Sequence, residues 1–366
     1  MDAMVRNAAG CKEVTVFGTP YERGVQYGRA CRAEIRRSVQ CYERLFMESK
    51  KLSWQEAQQL AMQYIPAICE ASEDYIEEMR GIAEGAEMVF EDILVINARS
   101  GLLCAPLARK ETQECTAFSL IPPATAEGAV LAGQNWDFVR AHRENVVILR
   151  VVPSDGKPGI LMFPEAGLIG AMGMNDAGIG LTLNALSTTE RGNGLPLHIR
   201  MRQILEQRTM ETAYAKTVSG GQPAPANLII THKDGIALGV ELDPAGIDVL
   251  QPEGGVIIHS NHFIGRKFAT RTHASNANTY VRFQRMQTLM SGKTGLTAAD
   301  AKAVLCDHCG YPFSVCKHTV PEEVVPEMKQ GATNFSLVMD LIHGTAEFAY
   351  GNPCQSSFVT LRVNEE

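Results

Sequence analysis

The stretch that decides the fold runs Arg109-Lys110-Glu111-Thr112-Gln113-Glu114-Cys115-Thr116-Ala117-Phe118-Ser119. Its first half is polar and reads as cleavable chain. Its second half opens a strand, with a cysteine on the boundary. If the bond before Cys115 broke, this cysteine would become a new N-terminus. Its α-amine, with an ordinary pKa near ~8, would then be the general base for its own thiol. Cys115 also reads as a buried structural residue, because free cysteine packs as a small hydrophobe.

Upstream of the boundary the chain is helical. Apolar residues recur at Val25, Ile35, Val39, Tyr42 and Phe46 after Gly18-Thr19-Pro20. Ser53 with Glu56 forms a capping box for a second helix, and a third is expected over about 72–88. Residues 13–17 alternate like one short strand. Downstream, short β-rich runs punctuated by glycine occupy 117–121, 129–133, 145–152, 159–163 and 178–183. Helical pattern returns at 196–206 and 210–218, and strands resume between 227 and 259. Helices over 276–289 and 298–306 precede the last strands, at 336–340, 345–350 and 357–363. Strands that follow strands exclude a regular strand–helix alternation. The pattern predicts an α+β protein with two antiparallel sheets packed together and helices outside.

Further polar residues punctuate the strands. Asn135 and Asp137 share one face of a strand because side chains alternate, and a carboxylate there could orient an α-amine. Asn175-Asp176-Ala177-Gly178 reads as a hairpin turn with Gly178 at positive φ. Asn184 ends the next strand. His259-Ser260-Asn261-His262 closes a later one and offers an amide to an oxyanion.

In this order the motifs resemble the acyl-coenzyme A:isopenicillin-N acyltransferase family of N-terminal-nucleophile cysteine enzymes, which also contains the insect β-alanyl-dopamine hydrolase. The resemblance begins at Phe17-Gly18-Thr19-Pro20-Tyr21-Glu22-Arg23-Gly24 and Tyr27-Gly28. It continues through Glu78-Met79-Arg80-Gly81-Ile82-Ala83-Glu84-Gly85-Ala86 and Asn97-Ala98-Arg99. Cys115-Thr116, Gln134 to Phe138, Glu165-Ala166-Gly167 and Ser260-Asn261-His262 follow. It ends at Tyr311-Pro312-Phe313-Ser314-Val315-Cys316 and Gly331-Ala332-Thr333, so it spans nearly the whole chain.

This resemblance implies a four-layer αββα fold and a precursor that cuts itself between Glu114 and Cys115. Residues 1–114 would become a small helical chain and 115–366 a larger catalytic chain, associated in one compact domain. Cys115 would be the nucleophile, Asp137 its orienting carboxylate and Asn261 the oxyanion donor. Asn135, Asn184 and Thr116 would play supporting parts. The sequence departs from the family pattern at Glu114, where the penicillin-forming member has glycine. It departs again at Ala117, in place of threonine, and at Gln330, in place of an arginine. The implied substrate is a small N-acylated amine, amino acid or peptide, with an acyl-thioester as a further candidate donor. The missing arginine and the absence of a glycine-rich phosphate loop favour hydrolysis over coenzyme-A-dependent transfer.

Composition agrees. The 366 residues are 45% hydrophobic and 20% charged, which suits an ordinary globular protein. A net charge of −7 argues against nucleic acid or an anionic membrane as the main partner. No apolar run is long enough to span a bilayer. Met1 to Gly10 lacks a signal-peptide core, and Arg362 to Glu366 carries no lipidation or peroxisomal address. A cytoplasmic protein is expected, with its ten cysteines reduced. Cys306, His308, Cys309, Cys316 and His318 fall within thirteen residues. Cys306-x-x-Cys309 has zinc-like spacing, but Cys316-Lys317-His318 is too tight for a usual finger arm. This segment is therefore expected to be a structural or substrate-rim loop, with no cofactor or metal. Two rivals stand beside the processed enzyme. One is a non-catalytic binding protein, favoured if Cys115 is buried without a pocket. The other is an intact enzyme in which His262 or His308 serves Cys115 as base.

Overall fold

The structure is a computed structural model, and it describes residues 2–103, 114–268, 277–320 and 330–364. The polar stretch before Glu114 and the first residues of the helix expected from 276 lie outside the described residues. Strands β1 (Met4–Ala8) and β2 (Cys11–Gly18) lead into helices α1 (Pro20–Ala30), α2 (Arg32–Lys50), α3 (Trp54–Ala61), α4 (Ile65–Ala71), α5 (Glu73–Ala86) and α6 (Phe90–Leu103). Then come β3 (Glu114–Leu120), β4 (Leu131–Val139), β5 (Val147–Pro153), β6 (Ile160–Met162), β7 (Gly173–Asn175) and β8 (Ile179–Ala185). Helices α7 (Leu197–Leu205) and α8 (Met210–Val218) precede β9 (Ala226–His232), β10 (Ile236–Asp243), β11 (Gly246–Leu250) and β12 (Val256–His259). The chain ends with α9 (Asn278–Met290), α10 (Ala298–Leu305), β13 (Gly331–Asp340), β14 (Thr345–Tyr350) and β15 (Val359–Arg362).

The strands form two sheets. One has nine strands in the order β1-β2-β5-β6-β7-β8-β9-β10-β11; the other has six, β12-β3-β4-β13-β14-β15. Their pairings are antiparallel except for β2 with β5. Strands β3 and β4 of the smaller sheet lie on β8 of the larger one. Helices α7 and α8 pack on the outer face of the larger sheet, and α9 and α10 on that of the smaller. The result is the αββα layering that the sequence predicted.

Local chemistry explains several elements. Thr19 and Ser53 close capping boxes with Glu22 and Glu56. The helical pattern around Val25 to Phe46 divides at Cys31, which has φ −115° and ψ 23°. Helix α6 has no counterpart in the sequence reading. Its residues Ile93, Leu94, Val95, Ile96 and Ala98 are all buried, so it lacks the polar face that marks an amphipathic helix. Gly178 takes φ +96° in the β7–β8 turn, as expected.

Family motifs far from Cys115 are packing devices. Gly24 and Gly28 of α1 meet Gly81 and Gly85 of α5. A Cβ on Gly24 would lie 2.1 Å from the Glu78 carbonyl oxygen, and one on Gly28 would lie 2.3 Å from that of Ile82. Glu78 accepts from Arg23 and Arg202 at 3.0 Å, which ties α1, α5 and α7 together. Glu165 binds Arg99 at 2.9 Å and His142 at 2.6 Å, and it accepts from Tyr42 at 2.5 Å. Burial opposes its ionised form, but Arg99, His142 and Tyr42 outweigh that and hold it at about 2.

We expect Gly28→Ala to force α1 and α5 apart and to cost ~1–3 kcal/mol through overpacking. Thermal unfolding of the uncut chain would register this as a lower Tm; an unchanged Tm would contradict the close helix contact.

Candidate active site

Alternation along β3 sets the site. Cys115 and Ala117 face the core shared with the larger sheet, whereas Phe118 and Leu120 face α9 and α10. On β4, Asp137 stands opposite Glu114, Trp136 opposite Cys115 and Asn135 opposite Thr116. On the other side, β12 ends at His259, opposite Ala117. The ladder therefore stops short of Cys115, and the peptide groups of that residue need other partners.

Side chains supply them. The Cys115 amide donates to Asn261 Oδ1 at 2.7 Å. The Cys115 carbonyl accepts from Arg282 Nη1 at 2.8 Å and from Asn184 Nδ2 at 3.2 Å. Arg282 also donates to Thr116 Oγ1 at 2.6 Å and to Asn261 Oδ1 at 3.0 Å. A guanidinium can only donate, so it fixes which end of the Asn261 amide faces the site. Asn261 Nδ2 turns to the Ala185 carbonyl, 2.9 Å away. The Asn261 amide donates to Thr279 Oγ1 at 2.8 Å, which anchors this loop on α9.

Glu114 is buried among cations. Its carboxylate lies 2.8 Å from Lys317 Nζ and 3.8 Å from Arg282, and it accepts from Asn278 at 2.9 Å. Burial raises its pKa, but Arg282 and Lys317 prevail and the net shift is downward. Asp137 accepts from Thr333 Oγ1 at 2.6 Å, and its Oδ2 has no hydrogen-bond partner among the described residues. Burial pushes the Asp137 carboxyl up to about 7, against the pull of Arg282, Thr333 and Lys317. The Cys115 thiol is pushed up to about 12, first by burial and then by Asp137, although the Asp137 backbone amide favours the thiolate. The thiol is therefore protonated at neutral pH.

The sequence candidates separate accordingly. Cys115, Thr116, Asn184 and Asn261 join in one network with Glu114, and Asp137 lies across the ladder from Glu114. In the uncut chain the Cys115 amide is engaged by Asn261 and Asp137 accepts from Thr333; the α-amine that Asp137 is expected to orient would exist only after cleavage. Asn135 is committed elsewhere, donating to the Leu305 and Val315 carbonyls at 2.8 Å and accepting from Ser336. The Gln330 carbonyl accepts the Arg140 amide at 2.8 Å. No arginine occupies position 330, but Lys317 runs alongside Gly331, where an added Cβ would come within 2.9 Å of Nζ. Lys317 and Arg282 thus place positive charge at Glu114.

Sequence reasoning missed both cations. Arg282 had a readable signal, because it interrupts the buried stripe Thr279, Met286, Met290 of α9. A charge inside an apolar stripe implies a buried partner. The histidine rivals fare less well. His262 is hydrogen-bonded to Ser260 and Thr279 and lowered to about 4, chiefly by burial. His308 faces His318 at 3.1 Å. A cleft of about 220 Å³ lined by Asp176, Lys233, His343 and Arg362 contains none of the candidate site residues. No helix among the described residues is long and apolar enough to cross a membrane.

Comparison with known proteins places the chain. It is 32% identical over 344 residues to the acyl-coenzyme A:6-aminopenicillanic-acid-acyltransferase 40 kDa form of Emericella nidulans, covering 93% of this chain and 92% of that protein. The structure of a variant of the conjugated bile acid hydrolase from Clostridium perfringens aligns at 14% identity and TM-score 0.48, covering 68% of this chain and 97% of that one. A penicillin V acylase structure from Agrobacterium tumefaciens aligns at 15% identity and TM-score 0.35, covering 64% and 83%. The sequence model of the acyl-coenzyme A:6-aminopenicillanic acid acyl-transferase family matches residues 124–354. With that match and a relative aligned over 92% of its own length, the chain belongs to the acyl-coenzyme A:6-aminopenicillanic acid acyl-transferase family.

Proposed function

We propose that the chain is a precursor that cuts itself between Glu114 and Cys115. It then acts through Cys115 as an amidohydrolase or acyltransferase on a small N-acylated amine, amino acid or peptide. The observation that carries this reading is the grip on the Cys115 peptide group. Its amide and carbonyl are held by Asn261, Arg282 and Asn184 where the strand ladder has ended. Any buried residue here would need its peptide group paired; the reading rests on the residue so held being a cysteine near the start of the strand.

In self-cleavage the Cys115 thiol attacks the Glu114 carbonyl carbon. The bond from that carbon to the Cys115 nitrogen breaks, and the thiol proton passes to the nitrogen. Water then hydrolyses the resulting thioester, leaving a Glu114 carboxylate and a free Cys115 amine. In catalysis this amine takes the thiol proton as sulfur attacks the acyl carbon of the substrate. The amine half leaves, and water or a second amine accepts the acyl group. Asn261 Oδ1 is placed to receive an N–H of the new amine. The N–H of Asn261 Nδ2 not engaged by Ala185 remains for the oxyanion. An ionised Asp137 favours the ammonium form that arises during attack. Cys115 is buried and the cleft described above lies elsewhere, the circumstance that favours the binding-protein reading; the processed-enzyme reading requires cleavage to open a path to the thiol.

Glu114 is itself the first acyl group that the site holds. The Lys317, Arg282 and Asn278 groups around its side chain favour an acyl portion carrying a carboxylate. The Emericella nidulans relative is named for acyl transfer involving coenzyme A, which keeps an acyl-thioester as the second candidate donor. Both cations face one carboxylate, Glu114, in the uncut chain, and the reading keeps amide hydrolysis as the favoured outcome.

Wild-type protein should resolve on a denaturing gel into fragments of about 12 and about 27 kDa, by share of length from 39.9 kDa. Cys115→Ala should remain whole, and Asn261→Ala should slow cleavage by ~10²–10³. A fully active chain that stays at 39.9 kDa would refute the processing step.

Asp137 also dictates a pH dependence. A carboxyl raised to about 7 holds its proton more tightly folded than unfolded. Its contribution to stability therefore declines as pH rises from about 4 to about 7, then levels off. In a Cys115→Ala background, Asp137→Asn should gain Tm relative to its parent across that window. A difference independent of pH would show that Asp137 does not titrate there.

For substrate choice, N-glutaryl or N-succinyl amides should be cleaved faster than N-acetyl or N-phenylacetyl amides of the same amine. Lys317→Met should remove the preference. Faster turnover of the neutral acyl groups would overturn the anionic-pocket reading and leave the processing step standing.

A further inference from the structure

The loop between α10 and β13 holds a group of side chains that acylation chemistry leaves unused. The sequence reading paired Cys306 and Cys309 with Cys316 and His318 and expected no metal. The fold regroups them. Cys306 and Cys309 fall outside the cluster, and Cys354, beyond β14, enters it with His308, Cys316 and His318.

The donor atoms are close together. His308 Nε2 lies 3.1 Å from His318 Nε2. Cys316 Sγ lies 3.5 Å from His318 Nε2 and 3.6 Å from Cys354 Sγ. Cys354 Sγ lies 3.4 Å from His318 Nε2, and all four donor atoms fall within 4.8 Å of one another. Bonds of about 2.3 Å to sulfur and about 2.0–2.1 Å to nitrogen put the corners of a tetrahedron about 3.3–3.8 Å apart. The three edges among Cys316, His318 and Cys354 fall in that range, and the His308–His318 edge, at 3.1 Å, is a little shorter.

We infer that His308, Cys316, His318 and Cys354 form a tetrahedral zinc site. Two thiolates with two neutral imidazoles suit Zn²⁺ and disfavour Mg²⁺ and Ca²⁺, which take oxygen ligands. Four protein ligands leave no position for water or substrate, so the ion is structural. Metal binding releases the two thiol protons to solvent and changes no oxidation state.

The surroundings are built for it. The Cys316 amide donates to the Asp307 carbonyl at 3.0 Å and the His318 amide to that of Pro312 at 2.9 Å, so the loop geometry is set by its own backbone. Asn352 Nδ2 donates to Cys316 Sγ at 3.6 Å and to the Lys317 carbonyl at 2.6 Å, an outer contact that steadies the sulfur ligand. Cys316 is buried while His308 and Cys354 are exposed, which leaves a path for the ion to enter.

The tight Cys316-Lys317-His318 spacing ceases to be an objection. Side chains two residues apart in extended chain share a side, so both can reach one ion. Lys317 then points the other way, to Glu114 at 2.8 Å. The metal would pin the loop that delivers Lys317 to the bond before Cys115.

The test uses the full chain. Elemental analysis of purified protein should find about one zinc per chain, falling below about a tenth in Cys354→Ser and His308→Ala, while Cys306→Ser and Cys309→Ser retain it. Co²⁺ added to chelator-stripped Cys115→Ala protein should give the visible bands of a tetrahedral thiolate complex. Chelation of the same protein should lower its Tm. Absence of stoichiometric zinc together with absence of cobalt bands would overturn the proposal. So would zinc that follows Cys306 or Cys309, or a Cys316–Cys354 disulfide found by mass spectrometry. If a ligand variant fails to fold, the cobalt titration and the disulfide measurement on protein with all four ligands still decide. Neither result depends on whether the chain cleaves itself.

Discussion

The candidate active site follows from the early end of one strand. Strand β12 stops at His259, opposite Ala117, and the ladder beside β3 goes no further. A buried peptide group without a strand partner is costly, so Asn261, Arg282 and Asn184 must complete the pairing at Cys115. Those three residues come from the loop after β12, from α9 and from β8. Cys115 is thus the point where the two sheets and one outer helix are held to each other through polar contacts.

The charges at that point are few and matched. Glu114 sits between Lys317 and Arg282, and Arg282 also serves the Cys115 carbonyl, Thr116 and Asn261. The same economy recurs in the scaffold, where Glu78 gathers Arg23 and Arg202, and Glu165 gathers Arg99 and His142. Removing one member of such a group strands the other in a low dielectric, so each group holds its elements in one arrangement. The scaffold groups are closed. The group at Glu114 contains the residue whose bond to Cys115 is the proposed cleavage site, so cleavage there would change what its cations face.

The loop between α10 and β13 carries two kinds of chemistry on alternate residues. Cys316 and His318 turn toward His308 and Cys354, while Lys317 turns to Glu114. Thr333 links this loop to Asp137, since its amide donates to the Lys317 carbonyl at 3.0 Å and its hydroxyl to the carboxylate at 2.6 Å. The order of this loop is therefore part of the order of the site.

Much of the architecture was legible in the sequence. Glycine-punctuated β runs after residue 112, the capping box at Ser53 and the turn at Gly178 are local signals, because turn and cap chemistry acts over three or four residues. Cys115 at the boundary and Asn261 after a later strand were also readable, one by position and the other by motif. Helix α6 escaped because a helix buried on all sides has no amphipathic period. The partners of Glu114, the commitment of Asn135 to Leu305 and Val315, and the recruitment of Cys354 were not legible. Lys317 is far from Glu114 along the chain, and Cys354 is 36 residues from His318. The sequence by itself determined most of the elements, the packing of two sheets between helices and the identity of the candidate nucleophile. Only the tertiary structure decided which charges and ligands meet, because such contacts depend on where strands end and loops return, and no local period records that.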